Sequence, residues 1–125
     1  MRDYRKLEVW KKAHEQYLFV KRSIVIKLPK EERFELASQL SRASLSIPLN
    51  IVEGCGRNTE KDFAYFLNNA LGSTNETEYC CFVAYELSYI TEQDYNNINK
   101  LINEVRAMLI SFIKFVRGNQ QNLMP

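Results

Sequence analysis

Residues 38–54 read SQLSRASLSIPLNIVEG, and the fold turns on whether this stretch is one helix or two. Leu40, Ala43, Ile47 and Ile51 recur at the steps of three and four that give a helix one buried face. Pro48 stands in their middle. A proline inside a helix offers no N–H to the carbonyl four residues back and crowds the preceding turn, at a cost of about 3 kcal/mol. In one reading the helix stops and a second begins, with Ser46 near an N-cap and proline in the tolerated first turn. In the other, a single kinked helix runs through, and the Ser44 carbonyl takes a hydroxyl or water as substitute donor. The apolar spacing continues unbroken across Pro48 and favours the kinked helix.

Outward from this stretch, helical periodicity covers nearly the whole chain and strand signals are absent. A first helix is expected over about Tyr4 to Lys27, with Leu7, Trp10, Ala13, Tyr17, Val20 and Ile24 on one face. Leu28-Pro29-Lys30 closes it and opens the second helix, which is expected to run from Pro29 to Gly54, with Gly54 and Gly56 as its stop. Thr59 with Asp62, and Thr91 with Asp94, read as capping boxes that begin the third and fourth helices. The third is expected to reach about Tyr89. The fourth carries Tyr95, Ile98, Ile102, Val105, Leu109, Phe112 and Val116, the seam of an antiparallel bundle. Short connections make sequential helices antiparallel. The expected fold is therefore all-α: an up-down-up-down four-helix bundle over residues 1–118, with a frayed tail at 119–125.

One bundle does not use all the apolar surface. Opposite the Leu40 face, the second helix carries Phe34, Leu45, Leu49 and Val52. Between the two stripes lie Glu35, Gln39, Arg42, Ser46, Asn50 and Glu53, within about 80° of one another. Phe19 and Ile26 point away from the first helix's apolar side, and Leu101, Met108 and Phe115 widen the fourth helix's seam. Aligned exposed apolar groups on several helices imply self-association. Gly72, with Ala70, Ser73 and Thr74, is expected to admit a closely approaching helix, since glycine inside a helix costs about 1 kcal/mol.

Net charge is +2, but residues 1–30 hold nine Lys or Arg against three acids. Arg5, Lys6, Lys11, Lys12, Arg22 and Lys27, with Arg2 and Lys21, form the candidate nucleic-acid surface, directed at phosphates. Pairs such as Glu8 with Lys12 and Lys11 with Glu15 offer the plainer reading of surface ion pairs. Catalysis has little to stand on. His14 is the only histidine, and there is no Glu-x-x-His pair, phosphate loop or nucleophile elbow. No cofactor or metal is expected. Cys55, Cys80 and Cys81 read as small apolar fillers in a reducing compartment. No apolar run spans a membrane and no signal core precedes the first helix, so the cytoplasm is expected.

LEVWKKAHE at 7–15, LPKEERFELASQLSRASLSIPLNIVEG at 28–54, Gly56-Arg57, and Gly72-Ser73 with Glu76 and Glu78 resemble the bacterial four-helix bundle proteins also called 23S ribosomal RNA intervening-sequence proteins. The resemblance covers nearly the whole chain, and the Ser46–Gly54 pattern is its most specific part. It implies a four-helix protomer in a ring-like homo-oligomer, a homopentamer. It also implies kinship with the accessory protein of diversity-generating retroelements, and with it RNA or DNA, or a mobile-element protein, as partner. Arg42, Asn50, Glu53 and Glu76 are its recurring polar positions, expected to form a network between helices or subunits; Pro48, Gly54, Gly72 and Ser73 accompany them. Thr74 and Thr77 stand where such proteins often carry leucine.

Overall fold

The structure, a computed structural model, describes residues 2–122, of which 119–122 as backbone only. Four helices follow in order: α1 (Glu8–Phe19), α2 (Leu36–Cys55), α3 (Glu60–Glu86) and α4 (Glu92–Asn122). Each packs antiparallel on its sequence neighbour, and α4 returns to α1. The expected frayed tail at 119–125 is helical backbone as far as Asn122; residues 123–125 lie outside the described residues.

α2 passes through Pro48 without interruption, and Pro48 is buried. The carboxamide of Gln16 on α1 replaces the missing amide. Gln16 Nε2 donates to the Ser44 carbonyl at 2.9 Å and to the Ala13 carbonyl at 3.0 Å, and Gln16 is fully buried. The substitute donor is thus a side chain of a neighbouring helix. The Ser44 hydroxyl instead donates to the Leu40 carbonyl at 2.8 Å.

Gln16 belongs to a polar layer that divides the core. One apolar cluster holds Ala13, Ile47, Ile51, Phe63, Leu67, Ala70, Val105 and Leu109; the other holds Val20, Ile24, Leu40, Cys80, Cys81, Ala84, Ile98 and Ile102. On each of the first three helices the boundary falls at fully buried polar residues: Gln16, Ser44, and Thr74 with Thr77. The threonine hydroxyls donate to the Ala70 and Ser73 carbonyls, each at 2.8 Å. That is where the departure from leucine has its structural place.

Several expected boundaries shift. The first helix spans its predicted range but changes pitch. A 3-10 turn at Tyr4–Lys6 is set apart by extended Leu7, and past Phe19 the chain continues as a π-helical stretch, Val20–Ile24, and a 3-10 turn, Val25–Lys27. Its buried face is Val9, Ala13, Gln16 and Val20, while Trp10 and Tyr17 are only half-buried. The second helix begins at Leu36 and not at Pro29. Pro29 is extended, a 3-10 turn occupies Lys30–Glu32, and Glu35 (φ −115°, ψ −96°) lies outside the helical region. Phe34 therefore precedes α2 and is not part of its outer stripe. Gly54 is not a stop but a buried helical residue, with Gly56 as the cap. Gly72 is open: a Cβ there would meet nothing within 4 Å, so no helix of the chain makes the expected close approach.

Both capping signals form. Thr59 Oγ1 accepts from the Asp62 amide at 3.1 Å, and Thr91 and Asp94 exchange bonds of 3.0 and 3.1 Å. α3 ends three residues earlier than expected. The Ser88 and Tyr89 amides turn back to the Tyr85 and Ala84 carbonyls, with Ser88 left-handed at φ 62°. Glycine normally takes this place, because a Cβ crowds the carbonyl. Ser88→Gly is expected to raise stability by about 1 kcal/mol, seen as a higher urea midpoint at unchanged slope.

Candidate interaction surfaces

The outer side of α2 gathers the polar seam. Arg42, Asn50 and Glu53, with Leu45, Ser46 and Leu49, line a shallow hollow of about 490 Å³. α2 presents Leu49 54% exposed and Leu45 37% exposed on this side. Asn50 Nδ2 donates to the Ser46 carbonyl at 2.8 Å and to its hydroxyl at 2.9 Å, and Ser73 Oγ on α3 donates to Ser46 Oγ at 2.8 Å. Two turns before Ser46 on α2, Gln39 Nε2 donates to Glu76 of α3 at 3.3 Å.

The four recurring polar residues do not bond to one another within the protomer. Arg42 closes on Ser38 of its own helix at 3.2 Å. Glu53 pairs with Arg57 at 2.5 Å, whose guanidinium lies over the Phe66 ring. Asn50 joins α2 to α3 through Ser46 and Ser73, and Glu76 does so through Gln39. Tyr65 and Tyr79, one heptad to either side of open Gly72, continue the exposed surface along α3. Phe19 packs against the second core cluster, whereas Ile26 is 74% exposed near the α1–α2 connection.

The basic strip is largely neutralised, in part by acids the sequence reading did not connect to it. Arg2 clasps Glu60 with bonds of 2.6 and 2.8 Å, its guanidinium 4.5 Å above the Phe63 ring. This raises the Arg2 pKa, first through the Glu60 bond, against the opposing effect of burial. Lys12 reaches Glu104 at 3.0 Å and Glu15 at 3.2 Å, and these two bonds raise its pKa. Lys27 meets Asp94 at 2.7 Å and holds its carboxyl below the usual carboxylate range. Lys11 pairs with Glu8 at 3.1 Å, so the surface pairs are Glu8–Lys11 and Lys12–Glu15 in place of the expected Glu8–Lys12 and Lys11–Glu15. Arg5 approaches Asp3 at 3.8 Å and stacks on Tyr4. Lys6 and Arg22 are exposed, and among the described residues neither has a carboxylate partner.

His14 is exposed and stacks on Trp10 at 5.0 Å. The three cysteines are free and buried, and burial pushes the Cys81 thiol up to about 12. Among the described residues no cluster of His, Cys, Asp and Glu could hold a metal, and no helix is long and apolar enough to cross a membrane. Sequence reasoning missed Arg106 of α4, which ties α4 to Glu78 and Asn75 of α3. It also missed Gln16, whose only signal is a polar side chain in phase with Ala13 and Val20.

The model of a family described as 23S rRNA-intervening sequence protein matches residues 5–111. Among solved structures, the chain is similar to a protein of unknown function from the S23 ribosomal protein family of Bacteroides thetaiotaomicron. The two share 32% identity with a TM-score of 0.78, over 85% of this chain and 95% of that one. No curated protein matches.

Proposed function

This chain belongs to the 23S rRNA-intervening sequence protein family, and on that premise we propose that it is a non-enzymatic, self-assembling scaffold whose copies join through the outer side of α2. The observation that carries this reading is the exposed Leu45–Leu49 stripe beside the hollow of Arg42, Asn50 and Glu53. An apolar stripe bordered by polar groups with unused bonding capacity suits a subunit contact, in which apolar area supplies affinity and the polar rim sets register. Gly72 adds support, since an exposed helical glycine that nothing in the chain approaches gains a purpose when a neighbouring copy does. Where the α2 stripe of one copy meets a different face of the next, the contact is head-to-tail and can close into a ring, to which the family resemblance gives five members. Sedimentation at micromolar concentration is expected to show the oligomer, and Leu49→Asp with Leu45→Asp a folded monomer. A wild-type monomer would overturn the reading.

A second reading, contact with RNA or DNA, is favoured by Lys6 and Arg22, which have no carboxylate to satisfy. A ring of identical subunits would repeat these charges around its axis and strengthen a phosphate-directed contact. Kinship with the retroelement accessory protein, carried by the resemblance alone, points to the same partner class or to a mobile-element protein. Here the expected result is a mobility shift at about 50 mM salt that disappears by a few hundred millimolar, and that Lys6→Glu with Arg22→Glu abolishes. No shift with either nucleic acid leaves the scaffold alone.

A further inference from the structure

Residues 2–6 cross the end of the bundle where α2 connects to α3. None of Tyr4–Lys6 is buried, and extended Leu7 (φ −85°, ψ 124°) sets the segment off from α1. Bonds within the segment make it a unit. The Asp3 side chain accepts from the Arg5 amide at 3.1 Å, the Asp3 carbonyl accepts from the Lys6 amide at 3.1 Å, and the Leu7 amide donates to the Tyr4 carbonyl at 3.0 Å. Arg2 ties this unit to α2 and α3. Its amide donates to the Cys55 carbonyl at 3.1 Å, its guanidinium grips both Glu60 oxygens at 2.6 and 2.8 Å, and the same group lies 4.5 Å above the Phe63 ring. Cys55 lies beneath, 4% exposed. Burial raises its thiol pKa, and charges of the crossing segment act on it too: Arg2 draws it down and Asp3 pushes it up.

We propose that residues 2–6 form a strap that opens about Leu7 while the four helices stay folded, with the Arg2–Glu60 clasp as its latch and the Cys55 thiol as the group it uncovers. A segment with little buried apolar surface opens at less cost than the whole fold. A bidentate guanidinium–carboxylate pair stacked on an aromatic ring is the strongest kind of contact such a segment can make, so the latch sets how often it opens. Opening also hydrates the thiol and removes the burial that holds it protonated, which makes the thiolate available as a nucleophile. The strap thus turns the state of one surface ion pair into the exposure of a reactive group.

The test treats the full chain with iodoacetamide under native conditions and follows each cysteine by peptide mass. The thiolate attacks the methylene carbon, an S–C bond forms, iodide leaves, and the thiol proton passes to solvent. Cys81, fully buried in α3, reports opening of the whole molecule. Cys55 is expected to react at least about tenfold faster than Cys81, and with a much weaker dependence on urea, because little surface is exposed when the strap lifts. Arg2→Ala and Glu60→Gln should each speed Cys55 by about tenfold, the shift expected for losing a charge-assisted bond. Gln16→Leu weakens the core and not the latch, so it should speed Cys81 and leave Cys55 unchanged. Circular dichroism checks that each variant keeps its helices. A common rate and urea slope for Cys55 and Cys81, a Cys55 rate indifferent to both latch variants, or a Cys55 rate that rises with Gln16→Leu would each overturn the proposal.

Discussion

Gln16→Leu is expected to destabilise the protein by about 2 kcal/mol, the cost of leaving a buried carbonyl without a donor. Leucine fills much of the same volume, so the loss reports the missing hydrogen bond more than a cavity. Gln16 Oε1 is itself buried without a partner, and removing it returns a fraction of the loss. The decisive measurement is a double-mutant cycle with Pro48→Ala. Alanine at 48 restores an N–H to the helix, which then serves the Ser44 carbonyl directly, so Gln16 becomes dispensable there. Gln16→Leu should cost at least about 1 kcal/mol less in the Pro48→Ala background than in the wild type, read from urea midpoints. Equal costs in the two backgrounds would show that Gln16 does not stand in for the proline's missing donor.

The same pair of residues marks how far the sequence can be read. Four helices, their antiparallel order and the starts of α3 and α4 follow from local signals: steps of three and four, and threonine three residues before an acid. Pro48 announces a missing donor just as locally. The replacement, however, comes from a residue 28 positions upstream on another helix, and no periodicity within the Ser38–Gly54 stretch points to it. Charge shows the same limit. Lys27 and Arg2 look free in the sequence because Asp94 and Glu60 belong to other helices, and Lys12, which the sequence pairs only with Glu8, reaches Glu104 of α4. Only the folded bundle shows that the basic strip is mostly spent, and that Lys6, Lys21 and Arg22 are what remains of it, Lys21 reaching only the Ser41 hydroxyl at 3.5 Å. The seam on α2 was legible as one face, since Arg42, Asn50 and Glu53 do line a single hollow. Its bonds were not, because Ser46 and Ser73 carry them across to α3.

Glycine chemistry gives the second large effect, and with opposite signs at two positions. At Gly54 an added Cβ would lie 2.8 Å from Phe63 Cδ1 and 3.0 Å from Phe66 Cβ. Phe63 cannot swing away cheaply: it is 1% exposed, meets Phe112 edge-on, and carries the Arg2 guanidinium on its face. Alanine there gains about 1 kcal/mol in helix propensity. Overpacking a tight core costs about 1–3 kcal/mol, so Gly54→Ala should be destabilising and Gly54→Leu should cost more, at about 3 kcal/mol or above. If the clash is the cause, Phe63→Leu should relieve it, and Gly54→Ala in that background should be neutral or stabilising. Gly72 lies open, so Gly72→Ala should gain up to about 1 kcal/mol in the isolated protomer. Where a neighbouring copy packs against Gly72, the same methyl stabilises the subunit and weakens the assembly. Thermal unfolding and sedimentation of Gly72→Ala then move in opposite directions, a pairing that a solvent-facing glycine in a monomer would not produce.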